Sequence, residues 1–196
     1  MVPTDLARQF EYMPLDDFEE LLLDKPMDQK WELIGGRVIR GMIGARWEHH
    51  FIVQNVNLAL SNHFRQRNMA CRTYVETFWL KERSMNLAVF PDVIVRCGAL
   101  PKGATHVSDP VVLIEVLSKG TQARDRHEKW THYQKLPSLK HYVLIERDEP
   151  YVDVFSRAGE TWSGFAALQG LDAVMRLPAI DFEMLLAEIY RDVIAA

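Results

Sequence analysis

Two carboxylates stand where an apolar strand has no structural use for them. The run VVLIEVL (residues 111–117) is aliphatic at every position but Glu115, and FPDVIV (90–95) sets Asp92 at the head of a second apolar run, directly after a proline that cannot donate to a ladder. An ionised carboxylate among aliphatics is costly unless something pairs it, and glutamate is rarely fully buried alone. Each acid therefore calls for a cation. Two acids on neighbouring strands can converge within a few ångströms, and Mg²⁺ takes such oxygen donors when it also holds phosphate and water, with Mn²⁺ as a substitute of similar taste. The competing reading pairs each acid with an Arg or Lys, or leaves it in solvent at a strand end; spacing alone does not separate the two.

Glu32 is a third candidate, set between Trp31 and the apolar Leu33 and Ile34. Its plainer reading is a solvated strand residue. His49 precedes Ile52 and Val56 by three and seven, which places it on the inward face of a helix. There a satisfied core histidine competes with a ligand or base. His50 belongs to the surface.

These residues need elements to hold them. MPLDDFEELLLDKP has a capping signal, an acidic first turn and a terminating Pro26, and reads as a helix over about 14–24. WELIGGRVIRGMI is two apolar runs around Gly35-Gly36, a pair suited to a tight hairpin turn. From Trp47 to Arg67 the apolar positions Ile52, Val56, Ala59 and Leu60 recur at helical spacing. TYVETFWL, LAVFPDVIV and VVLIEVL read as strands pairing in one sheet; a polar helix follows over about 122–136, then strands HYVLIE and YVDVFS around the turn-like RDEP. DFEMLLAEIY reads as a closing helix over about 180–192. The expected fold is α/β (α+β), a mixed curved sheet flanked by helices.

Composition bounds the rest. At 196 residues with 48% hydrophobics and no repeat or linker, residues 1–196 read as a single domain. No apolar run approaches a membrane span, and MVPTDLARQF lacks the pattern of a signal peptide, so a cytoplasmic protein is expected. Cys71 and Cys97 are too far apart for a metal knuckle and read as small buried thiols in a reducing compartment. A net charge of −4 disfavours a protein that coats nucleic acid. Yet Lys119, Arg124, Arg126, Lys129, Lys135 and Lys140 cluster in one stretch, which allows a local basic face.

Taken together, WELIGGRVI, GMIGARWEHHFIVQNVNLAL, FPDVIV, IEVLSKGTQARDRHEKWTHY and LPSLKHYVLIE resemble, in order and spacing, the Uma-type putative restriction endonuclease family of the PD-(D/E)XK nuclease superfamily. The resemblance spans about residues 13–157. It implies a restriction-endonuclease-like core in which Asp92 is the motif's Asp, Glu115 opens the E-x-K element and Glu32 is the hairpin-side acid. It further implies that the Val116 carbonyl is an extra metal ligand and that His49 takes the place of a recurrent histidine, with Asn55 and Leu58 following in register. One departure is Leu117, which stands where E-x-K has its lysine, the group that stabilises the phosphorane. The resemblance offers Lys129 of the next helix as the substitute, and Lys119 as a second. Asp125 and Arg126 could cap or brace that helix, and Tyr133, four residues after Lys129, could pack under its stem.

What the resemblance implies is an Mg²⁺-dependent endonuclease acting on DNA, with no organic cofactor and no membrane, working as a homodimer so that both strands are cut. A catalytically weak or inactive module that binds nucleic acid or protein on the same fold is the alternative. Hydrolysis of small phosphate esters is a third reading.

Overall fold

The computed structural model describes residues 12–42, 44, 46–118 and 124–194, with backbone alone at 42, 124 and 125. A first helix, α1 (Leu15–Leu21), runs into a 3₁₀ turn (Leu22–Asp24) and buries Leu15 and Phe18. Strands β1 (Gln29–Ile34) and β2 (Arg37–Met42) form the expected hairpin: Ile34 pairs with Arg37, and Gly35 and Gly36 both take positive φ, +59° and +84°, as a two-residue turn of this hand requires. The long helix α2 (Trp47–Gln66) buries Ile52, Val53, Val56, Leu60 and Phe64 along one stripe.

The strands that follow do not join one sheet. TYVETFWL is split by Glu76 (φ +44°) into β3 (Cys71–Val75) and β4 (Trp79–Glu82), and LAVFPDVIV is split at Phe90-Pro91 into β5 (Leu87–Val89) and β6 (Val93–Cys97). With β7 (His106–Val107), β8 (Val112–Leu117), β9 (His141–Glu146), β10 (Tyr151–Ala158) and β11 (Thr161–Gln169), they build a five-stranded sheet ordered β2-β1-β5-β4-β7 and a six-stranded sheet ordered β11-β10-β9-β8-β6-β3. Each run is therefore broken at a kink where the chain passes from one sheet to the other. The architecture remains a mixed α+β fold with helices on the sheets.

The central strands β6, β8 and β9 of the six-stranded sheet are covered on both faces, which is why they read as near-continuous apolar runs. On one face Val93, Val95, Val112, Ile114, Val116, Val143 and Ile145 pack with the buried stripe of α2; on the other Ile94, Leu113, Leu117, Tyr142 and Leu144 pack with Leu80, Leu87 and Val89 of the five-stranded sheet. Period-2 alternation puts Glu115 on this second face.

β8 and β9 are parallel, and the connection between them carries a π-helical turn (Arg124–Lys129) leading into α3 (Trp130–Tyr133). That is shorter than the helix expected over 122–136, whose first residues, with Lys119, lie outside the described ones. The closing helix is also corrected. Phe182 and Met184 are buried while Glu183 and Leu185 are exposed, a period of two; residues Phe182–Leu185 form β13 against β12 (Val174–Leu177), and only Leu186–Ile189 is helical, as α4. A partner strand the sequence did not announce decides between two readings of one pattern.

The expectation of two thiols is overturned as well. Cys71 and Cys97 face each other in the β3–β6 register and are joined in a disulfide, because antiparallel pairing erases their separation of 26 residues. Among the described residues no helix is long and apolar enough to cross a membrane.

Candidate active site

The kink before β6 creates the first feature of the site. β6 pairs with β8 only as far as Val93 opposite Ile114, so the backbone N–H of Val116 lies beyond the last paired residue. Asp92, next to Val93, closes that gap: its Oδ2 accepts from Val116 N at 2.7 Å. Asp92 Oδ1 faces His49 Nε2, 3.3 Å away on the first turn of α2. Burial alone would raise the Asp92 pKa, but the hydrogen bond and charge of His49, the Val116 N–H and the Lys129 charge hold it below the usual carboxylate value. For His49 the signs reverse. Burial pulls its pKa down, and the hydrogen bond and charge of Asp92, with help from Glu76, more than offset that and raise it.

Glu115, one residue from Val116, points to the opposite face. Its Oε1 accepts from Lys129 Nζ at 2.9 Å and from the Tyr133 hydroxyl at 3.1 Å. Tyr133 is held neutral, its pKa pushed well up by burial and by the Glu115 charge. From the five-stranded sheet β1 contributes Glu32, whose Oε1 accepts from Phe90 N at 2.8 Å and stands 3.8 Å from Lys129 Nζ. Glu32, Asp92, Glu115 and Lys129 are all between 2 and 8% exposed. The plainer reading of Glu32, a solvated strand residue, is thereby set aside.

All five side chains singled out in the sequence thus meet at one junction: Glu32 from β1, His49 from α2, Asp92 from the β5–β6 joint, Glu115 from β8 and Lys129 from the helix after it. Leu117 lies on the same strand face as Glu115 and is fully buried in the apolar cluster with Tyr133 and Tyr142. The ammonium therefore reaches Glu115 from the helix rather than from the strand. Lys119 and the side chain of Asp125 lie outside the described residues.

Tyr133 and Arg126, expected to pack under Lys129 and to brace its helix, make specific polar contacts there. The Tyr133 hydroxyl bonds the acid directly, beyond packing near Lys129; its spacing of four from Lys129 was the available signal. Arg126, three residues before Lys129, donates to Asp153 Oδ2 at 2.5 Å and Glu146 Oε1 at 2.7 Å. Glu115, Glu146 and Asp153 share one face of β8, β9 and β10, so Lys129 and Arg126 dock their helix on a row of acids.

The donor set suits a hard cation. Among the described residues Glu32, Asp92 and Glu115 bring carboxylate oxygens into one buried setting beside Lys129, the donor type a hard cation prefers. Among the described residues, no group of three or more His, Cys, Asp or Glu side chains is placed to hold a metal ion by itself.

A family model, Uma2, described as "Putative restriction endonuclease", matches residues 15–187. The uncharacterized protein sll1609 of Synechocystis sp. (strain ATCC 27184 / PCC 6803 / Kazusa) is 25% identical over 159 residues, 79% of this chain and 88% of its own length. A second uncharacterized protein of that organism, slr1290, is 32% identical over 68 residues, 34% of this chain and 36% of its own. A crystal structure from Anabaena variabilis ATCC 29413, described as a putative nuclease belonging to DUF820, superposes with a TM-score of 0.73 at 18% identity, covering 93% of this chain and 99% of that one. That likeness is one of fold.

Proposed function

This chain belongs to the Uma2 putative restriction endonuclease family, and on that premise we propose that it is an Mg²⁺-dependent endonuclease that hydrolyses DNA phosphodiester bonds, with Mn²⁺ able to substitute. The observation that carries the reading is the Lys129–Glu115 contact at 2.9 Å, beside Asp92 and Glu32. It returns to the site the cation that Leu117 removes from the strand.

Asp92 and Glu115 would hold the metal, with the Val116 carbonyl and Glu32 as further oxygen donors. A divalent cation bound there supplies the Lewis acidity that phosphodiester hydrolysis needs. Lys129 neutralises charge developing on the scissile phosphate, and in a nearly dry site such a donor is worth more than in water. Tyr133 fixes Glu115 through Oε1, which leaves the orientation of that carboxylate set before substrate arrives. His49 orients Asp92 and keeps its carboxylate ionised.

The test is incubation of supercoiled plasmid with Mg²⁺ or Mn²⁺, run beside the Asp92→Ala, Glu115→Ala and Lys129→Ala variants. Cleavage by the parent and loss in all three variants is the expected result. Absence of cleavage across duplex, single-stranded and supercoiled DNA, with no rise in melting temperature on adding either metal, would end the nuclease reading; such a stabilisation is due from any site that binds the metal in the folded state alone.

A further inference from the structure

Strand β1 sends a second charged side chain to the joint between β5 and β6. Lys30 lies two residues before Glu32, hence on the same strand face and about 7 Å along it. The two side chains grip one peptide from opposite ends: Glu32 accepts from the Phe90 N–H at 2.8 Å, and Lys30 Nζ donates to the Phe90 carbonyl at 3.5 Å. The Lys30 ammonium also stands 5.1 Å from the centre of the Phe90 ring, a cation–π contact. The β1–β5 ladder registers at Leu33 opposite Ala88, short of Phe90, so these side chains carry the link where the ladder stops.

The two lysines of the site are differently committed. Lys129 is 4% exposed, with Glu115 and Glu32 beside its ammonium. Lys30 is half-buried, and among the described residues no carboxylate forms an ion pair with it. Its charge nevertheless reaches the site. At His49 it opposes protonation, ranking after burial and the contrary pulls of Asp92 and Glu76.

We infer that Lys30 seats the substrate, its ammonium contacting the DNA backbone phosphate next to the one that is cut. The inference rests on the nuclease reading and deepens it by naming a phosphate-binding residue. A phosphodiester approaching Asp92 and Glu32 brings negative charge to negative charge, so its approach calls for a cation that solvent, and therefore a DNA strand, can reach. Lys30 is such a cation at this joint. The offset from Glu32 along β1 sets its ammonium beside the acids rather than among them, which suits a neighbouring phosphate better than the scissile one. Contacts of that kind carry no sequence information and fix the register of the nucleic acid on the protein. With its stem held against Phe90, Lys30 loses little freedom when the phosphate arrives.

The salt dependence of binding to a short fluorescein-labelled duplex, followed by anisotropy in Ca²⁺, tests it. Lys30→Met keeps the stem on Phe90 and removes the charge, and Lys30→Arg keeps the charge. Between about 50 and 200 mM salt the log–log slope of Lys30→Met should be shallower than the parent's by about one, with affinity roughly fivefold weaker near 0.15 M, and Lys30→Arg should restore both. A lysine that only ties down the Phe90 carbonyl would lower the melting temperature and leave the slope alone, which overturns the inference. Should Lys30→Met fail to fold, amine acetylation of the parent read by mass spectrometry decides: duplex DNA protects Lys30 if it contacts phosphate, and equal acetylation with and without DNA refutes it. A parent that cuts plasmid while Lys30→Met keeps the parent's slope overturns this inference alone; a parent that neither binds nor cuts DNA overturns the nuclease reading with it.

Discussion

Lys129 donates to Glu115 at 2.9 Å across a separation of 14 residues, while Leu117, two residues along from Glu115 on the same strand, is fully buried in apolar core. The cation is thus carried by the helix that follows the strand, and the strand position is free to pack. Energetically this is a buried ion pair with a tyrosine and a second acid around it, an arrangement in which losing one partner costs more than losing both.

Replacing Lys129 by Met should therefore lower stability by about 3 kcal/mol, since it leaves Glu115 and Glu32 buried without the ammonium. Adding Glu115→Gln in the same protein should recover a good part of that loss. Urea denaturation of the single and double variants measures it; equal stability of Lys129→Met and the parent would show that the pair is not buried as described.

The His49–Asp92 pair gives stability a pH window. His49 is raised above 6.5, so its contribution is complete below about that pH and fades as pH climbs through the folded-state value. Asp92 is lowered below 3.8, so its contribution is present above that pH and fades as pH falls through the folded-state value. The pair should stabilise most between about 4 and 6.5. Melting temperatures of parent and His49→Gln protein should differ more at pH 5.5 than at pH 8.5, and a difference independent of pH would contradict the contact.

Arg126 ties the helix that bears Lys129 to β9 and β10. Asp153 is 3% exposed, so Arg126→Met strands its charge, and a loss of about 2 kcal/mol is expected after allowing for the partial exposure of Arg126 itself. Arg126→Lys should recover only part, because an ammonium does not span two acids as the guanidinium fork does. Asp153→Asn in the Arg126→Met background should restore more. Chemical denaturation distinguishes these orders.

The Cys71–Cys97 bond closes a loop of 26 residues, worth about 3.5 kcal/mol in the chain-entropy account. Dithiothreitol, or a Cys71→Ala, Cys97→Ala protein, should lower the melting temperature by several degrees. A thiol titration finding two free cysteines in the native protein would reverse the assignment.

How much of this was legible beforehand depended on the range of the interactions. Local patterns sufficed for α1, the Gly35-Gly36 hairpin and α2, since each is settled by spacing within one turn or one strand. Glu115 and Asp92 were legible too, because a carboxylate in an aliphatic run violates a rule that holds wherever the run lies. Lys129 as the cation of the site came only through the family resemblance, which offered Lys119 beside it, and the Lys129–Glu115 contact agrees with the first of these. That Glu32 is buried, that Cys71 and Cys97 touch and that Phe182–Leu185 is a strand are settled by segments distant in sequence. Sequence by itself determined which side chains could not be left alone; tertiary structure decided what each was left with, because a buried charge or an unpaired strand specifies the need for a partner and the chain path specifies which partner arrives.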